Sequence, residues 1–157
     1  MKILSADDNA TNQYLLRSLL EGNGHLVTEA ANGKEALEKL LAGSYDLIVS
    51  DILMPVMDGF ALCREVKQHP ELKHIPLIIY TATYTGMQDE EFAHTIGADR
   101  FVIKPCDPDV LMHIIEEVMA SHGKVNHPEI DKPEEEILKL YNERLVRKLE
   151  QKMLQAE

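Results

Sequence analysis

Tyr45-Asp46-Leu47-Ile48-Val49-Ser50-Asp51-Ile52-Leu53-Met54-Pro55-Val56-Met57-Asp58-Gly59 is the stretch whose reading decides the fold. Leu47-Ile48-Val49 does not alternate apolar with polar, which is the pattern of a parallel strand buried on both faces. The run ends at a carboxylate, Asp51. Asp58-Gly59 then reads as a turn and the start of a helix. A strand covered on both faces needs helices on either side of its sheet, so the rest of the chain should alternate strands with helices.

It does. Short apolar runs recur at 3–6, 26–29, 77–80 and 101–103, and Leu77-Ile78-Ile79 again fails to alternate. Between them lie stripes at helical spacing: Leu15, Leu16, Leu19 and Leu20; then Ala36, Leu37, Leu40 and Leu41; then Val110, Leu111, Ile114, Ile115 and Val118. Gly22-Asn23-Gly24 closes the first helix, Asn32-Gly33 opens the second and Ala42-Gly43-Ser44 ends it. Five strands and five helices predict an α/β domain over residues 1–120 built on a parallel sheet. Residues 121–133 read as a polar linker. Residues 134–157 run without Gly or Pro and predict a C-terminal helix about 36 Å long. Its stripe of Leu138, Tyr141, Leu145, Leu149 and Met153 suggests pairing with a second copy, or continuation into a further domain, over packing on its own domain.

Composition narrows the function. The 157 residues carry 16 Lys and Arg against 27 Asp and Glu, net −11, and almost all of the excess lies in 1–120. Direct nucleic-acid binding and an anionic membrane surface are therefore not expected. Cys63 and Cys106 are too few for a disulfide framework and fit a reducing compartment. No apolar run reaches the ~20 residues that span a bilayer. The expected location is the cytoplasm.

Chemistry collects where parallel strands end. The first strand ends at Asp7-Asp8, the third at Asp51, the fourth at Thr81 and the fifth at Lys104-Pro105. Carboxylates ~5 Å apart repel by ~3 kcal/mol at an effective dielectric of 20. Such a cluster calls for a cation, and hard oxygen donors suit Mg²⁺. A metal beside a carboxylate nucleophile, a hydroxyl and a lysine makes a phosphoryl-transfer site, with Asp51 as nucleophile. The run Asp89-Glu90-Glu91 reads as the solvated first turn of the fourth helix. Asp99 reads as structural or exposed, and Met54, Met57 and Met87 as loop packing. His122 and His127 fall in the linker without metal-type spacing, and Cys106 carries only a weak redox signal.

With these residues in order, the chain resembles the receiver domain of two-component response regulators over about residues 1–120. The resemblance rests on Asp7-Asp8, the block 45–59, Thr81-Ala82, Gly97-Ala98-Asp99, Phe101 and Lys104-Pro105. It implies a flavodoxin-like strand order 2-1-3-4-5 with helices on both faces. It also implies phosphorylation of Asp51 by a partner histidine kinase or phosphotransfer protein. Asp8 and Asp51 are expected to ligate Mg²⁺ directly, Asp7 largely through water, and the Leu53 backbone carbonyl to complete the set. Thr81 and Phe101 are the expected switch pair, Lys104 the partner of the phosphoryl oxygens, and Lys104-Pro105 a cis bond. Leu53 is apolar and Thr83 small and uncharged at positions that tune water access in the family.

The implied protein is a phosphoacceptor switch rather than an enzyme acting on other molecules. Phosphorylation would shift the face made by the fourth helix and fifth strand, along with the C-terminal helix, and a homodimer through either surface is expected. Residues 121–157 are too few for a DNA-binding or cyclase domain, so the chain reads as the input module of a longer signalling protein. The alternative is a stand-alone receiver with a dimerising tail. A flavin module is excluded by the acidic, glycine-free loop 7–12. A metal-dependent aspartyl-phosphate phosphatase lacks its second acid, since Leu53 stands at that place. A vestigial site on a structural module conflicts with the intact Asp51, Thr81 and Lys104.

Overall fold

Every non-alternating run becomes a strand. In the computed structural model, which describes residues 1–83, 86–121 and 134–155, five strands form one parallel sheet in the order β2-β1-β3-β4-β5. They are β1 (Lys2–Ala6), β2 (Leu26–Ala30), β3 (Leu47–Ser50), β4 (Leu77–Thr81) and β5 (Arg100–Ile103). The helices are α1 (Ala10–Gly22), α2 (Gly33–Ala42), α3 (Gly59–Gln68), α4 (Met87–Thr95), α5 (Pro108–Ser121) and α6 (Glu134–Gln155).

Alternate side chains of each strand enter opposite apolar layers. Ile3, Leu47, Val49, Ile78 and Val102 pack with Leu16 and Leu20 of α1 and Leu111, Ile115 and Val118 of α5. Leu4, Ile48, Leu77 and Ile79 face the other way, among Leu40 of α2, Phe60 and Val66 of α3 and Phe92 of α4. The sequence stripes are narrower than their apolar content suggests: Leu15, Leu41 and Val110 stay exposed.

Helix starts follow from side-chain caps. Asn9, Asn32 and Asp58 accept backbone N–H groups three residues on, at Asn12 (3.0 Å), Glu35 (2.8 Å) and Ala61 (3.0 Å). Asp99 is structural: its Oδ2 accepts from the Leu77 N–H (2.8 Å) and from Lys67 Nζ (3.1 Å).

Two tight approaches fix the loop after β3. A Cβ on Gly59 would stand 1.9 Å from the Asp51 carbonyl oxygen, so only glycine fits there. The Gly59 N–H donates to the Ile52 carbonyl at 2.7 Å. Gly33 donates to the Met57 carbonyl at 2.8 Å, and a Cβ there would meet that oxygen at 2.7 Å. Met54 and Met57 pack in this region as expected, whereas Met87 is exposed.

The C-terminal helix forms, but its face is not the one the sequence stripe marks. Leu138, Leu149 and Met153 point outward, at 45%, 52% and 72% exposure. The inward face is Ile137, Tyr141, Arg144 and Lys148, spaced at 4, 3 and 4 residues. Ile137 joins the layer that holds Phe60 and Phe92, with Leu140, Tyr141 and Leu145 packed at its edge. Alpha-helix α6 thus packs on its own domain, against α4. The physical reason is a set of specific polar partners for its buried cations, which hydropathy alone assigns to solvent. The linker reading, with His122 and His127, falls outside the described residues except for Ser121, which ends α5.

Candidate functional site

The sheet register carries the chemistry to one edge. Ladder hydrogen bonds continue past the strand ends: Asp7 N–H to the Ala30 carbonyl (3.0 Å), Asp51 N–H to Ala6 (2.9 Å) and Lys104 N–H to Thr81 (2.8 Å). The side chains that follow β1, β3 and β5 are therefore set by neighbouring strands rather than by free loops. Gln13 of α1 braces the edge. Its buried amide nitrogen lies 3.2, 3.0 and 2.8 Å from the carbonyls of Ser5, Asp7 and Ala30. Sequence reading passed over Gln13, because one glutamine on a helix gives no signal of what it caps.

Lys104 is the centre of the site. Its ammonium lies 2.9 Å from Asp7 Oδ2 and 3.7 Å from Asp51 Oδ2, with side-chain exposures of 13%, 7% and 15% for the three residues. The same ammonium sits 4.8 Å over the Tyr80 ring, a cation–π contact. Lys104-Pro105 is cis, as the resemblance implied. Asp7 Oδ1 accepts the Asn9 N–H at 2.9 Å, and Asp51 Oδ1 accepts the Ile52 N–H at 2.7 Å.

Asp8 does not join them: it is exposed. Among the described residues no three Asp, Glu, His or Cys side chains are gathered as a metal cage. Two of the three acids read from the sequence converge, and a lysine stands between them. Burial pushes the Asp51 carboxyl above its ordinary range, and Asp7 adds to this. The Lys104 charge and the Thr81 hydroxyl pull the other way without cancelling the burial. Two carboxylates against one ammonium leave the site one negative charge in excess.

Thr81 is fully buried. Its Oγ1 lies 3.0 Å from the Thr83 hydroxyl and accepts the Thr83 N–H at 3.2 Å. Phe101, the other expected switch residue, is half-buried against the layer that holds Phe60 and Phe92. Leu53 is buried at the start of the clamped loop. Cys63 is fully buried with its thiol pushed up to about 12, which makes it unreactive.

A second ionic cluster adjoins the first, and the sequence reading missed it. Asp89 is not a solvated first-turn acid but fully buried, as is Lys148. Lys148 Nζ donates to Asp89 Oδ2 at 2.7 Å and to the Thr83 carbonyl, and Arg144 Nη1 lies 3.7 Å from Asp89 Oδ1. Burial lowers the Lys148 pKa, against the opposing charges of Asp89 and Asp51. The Tyr141 hydroxyl donates to Asp58 Oδ2, the free oxygen of the α3 cap. The available signal was the 4-3-4 spacing of Ile137, Tyr141, Arg144 and Lys148, but nothing local pairs Lys148 with an acid 59 residues earlier.

Comparison with known proteins agrees with this architecture. The family described as response regulator receiver domain matches residues 3–116. The chain is 38% identical over 119 residues to the chemotaxis protein CheY of Pseudomonas aeruginosa, covering 75% of this chain and 95% of that one. A signal receiver domain of a signal transduction histidine kinase from Syntrophus aciditrophicus superposes with TM-score 0.71 at 35% identity, over 80% and 94% of the two chains. The response regulator TrrA of Thermotoga maritima, solved in complex with Mg²⁺ and BeF, gives TM-score 0.67 at 31% identity, over 74% and 97%. The chain spans about half the length of some other curated relatives. No described helix is long and apolar enough to cross a membrane. By its sheet order and by a match that runs through most of its length, the chain belongs to the response regulator receiver domains of two-component signalling.

Proposed function

We propose that Asp51 is the phosphoacceptor of this chain, charged from the phosphohistidine of a partner kinase or phosphotransfer protein and discharged by water. The observation that carries this is the convergence of Lys104 on Asp51 and Asp7 at 3.7 and 2.9 Å, beside the buried Thr81 hydroxyl. An Asp51 carboxylate oxygen attacks phosphorus, the P–N bond to the donor imidazole breaks, and the imidazole leaves with a proton. The product is an acyl phosphate. Hydrolysis returns the carboxylate and inorganic phosphate.

The donor chemistry fits a divalent cation. Asp7 and Asp51 offer hard carboxylate oxygens with one negative charge in excess, and Asp51 is held above its ordinary pKa by burial. Asp51, Asp7, the exposed Asp8 and the Leu53 carbonyl are the residues to hold Mg²⁺. When bound, the ion supplies charge neutralisation for the phosphoryl oxygens.

The chain's own groups do the rest. Lys104 faces the oxygens of the transferring group and offsets their charge. Thr81 donates its hydroxyl proton to one of them while its Oγ1 keeps accepting the Thr83 N–H, and Phe101 follows into the space behind. The buried backbone of β3 and the clamped Gly59 keep Asp51 from moving with its loop. The added charge of about −1.5 to −2 then biases the α4 and β5 face between two arrangements. A cytoplasmic location goes with this reading, in keeping with the two free cysteines.

Intact mass after incubation with acetyl phosphate tests the reading. A single phosphoryl increment that needs both Mg²⁺ and Asp51 is expected, absent in Asp51→Asn. An unchanged increment in Asp51→Asn, or none in folded wild type with Mg²⁺, contradicts it.

A further inference from the structure

We infer that Lys148 is a second positioning lysine of the phosphoacceptor site, carried in by α6 to hold the Thr81–Thr83 segment and to favour added negative charge at Asp51. The inference rests on the reading of Asp51 as the phosphoacceptor.

Burying an ammonium completely is costly, and a helix that only needed anchoring would bury an apolar residue instead. Lys148 is fully buried all the same, with its ammonium 5.9 Å from the Phe60 ring centre. Its bonds go to Asp89 at 2.7 Å and to the carbonyl of Thr83. Thr83 is in turn bonded through its hydroxyl and its N–H to Thr81 Oγ1, at 3.0 and 3.2 Å. One residue thus separates the ammonium from the hydroxyl expected to meet a phosphoryl group.

The charge count points the same way. Arg144, only 4% exposed, also faces Asp89 at 3.7 Å. Asp89, Lys148 and Arg144 together carry one positive charge in excess, whereas Asp7, Asp51 and Lys104 carry one negative. The two clusters meet through Thr81 and Thr83. The positive excess of the closed cluster, reaching the open one through the Thr83 carbonyl and the Thr83–Thr81 bonds, favours negative charge there. A phosphoryl group deepens that charge, so docking of α6 and occupancy of the site strengthen each other. Tyr141 and Ile137 seat the helix at Asp58 and in the core, which leaves Lys148 in place to respond.

The test uses the full chain and beryllium fluoride with Mg²⁺ as the phosphoryl mimic, titrated calorimetrically, together with hydrogen exchange of the α6 amides. Relative to wild type, Lys148→Met is expected to bind the mimic about tenfold more weakly, and Arg144→Gln about threefold. In wild type, saturation with the mimic slows α6 exchange about tenfold, and in Lys148→Met it does not. A merely structural lysine would leave α6 exchange indifferent to the mimic. Arg144→Gln at the cluster's rim decides the question if Lys148→Met does not fold. Equal affinity in wild type and variants, with α6 exchange unmoved, overturns the inference and leaves the site reading intact. Failure of folded wild type to bind the mimic overturns the site reading itself.

Discussion

Two lysines sit at the centre of two ionic clusters, and they are mirror images in charge. Lys104 holds two acids, Asp7 and Asp51, at a partly exposed strand edge. Lys148 shares one acid, Asp89, with a second cation, Arg144, in a setting closed to solvent. The open cluster has an excess of negative charge and lies at a strand edge that keeps some contact with solvent. The closed one has an excess of positive charge and is filled by the protein's own helix. The proposed chemistry belongs to the first and the inferred restraint to the second, and the Thr81–Thr83 hydrogen bonds join them.

The sharpest way to break this comparison is to unbalance the closed cluster. Asp89→Asn leaves Lys148 and Arg144 without a buried counter-charge, and removing one partner of a buried pair costs about 3–5 kcal/mol. Urea unfolding at pH 7 should show a loss of that order. A loss below about 1 kcal/mol would mean that Lys148 reaches solvent and that the cluster is not closed.

The open cluster should respond with the opposite sign. The Asp51 carboxyl is held above its ordinary pKa, so just above that ordinary value the folded state keeps a proton that the unfolded chain has released. Stability from this group is present at low pH and falls as pH rises through the window. Asp51→Asn lacks that dependence. It is expected to be more stable than wild type by about 1 kcal/mol at pH 7, with the gap closing below about pH 4. Mg²⁺ at ten times its Kd should stabilise wild type by about 1.4 kcal/mol and leave Asp51→Asn unchanged. Unfolding midpoints measured across pH, with and without Mg²⁺, check both statements.

The smallest expected effect lies on the outer face of α6. Leu149→Ala should change stability by less than about 0.5 kcal/mol, whereas Ile137→Ala on the inner face should cost about 2–3 kcal/mol. Comparable losses at both positions would place the sequence stripe, rather than the observed face, against the domain.

What was legible in the sequence follows the same division. Strands buried on both faces announce themselves by unbroken apolar runs, and the residue after each run falls at the sheet edge by register. Asp7, Asp51, Thr81 and Lys104 were therefore readable as one constellation before any contact was known. Asp8 stays exposed beside the buried Asp7, because adjacency in sequence does not turn successive side chains to the same side of a strand end. The closed cluster was illegible for a physical reason. Hydropathy sends Arg144, Lys148 and Asp89 to solvent, and only partners brought together by the fold reverse that sign. Leu138, Leu149 and Met153 made the opposite face look like the buried one.

The most direct test of the account is to find which carboxylate carries the phosphoryl group. Borohydride reduces an aspartyl phosphate to homoserine, and peptide mass spectrometry after acetyl phosphate and Mg²⁺ treatment then locates it. Homoserine at position 51 alone is the predicted result. Homoserine at position 7 or 8, or a spread over several acids, would contradict the assignment of Asp51 as the single acceptor that Lys104 and Thr81 are arranged to serve.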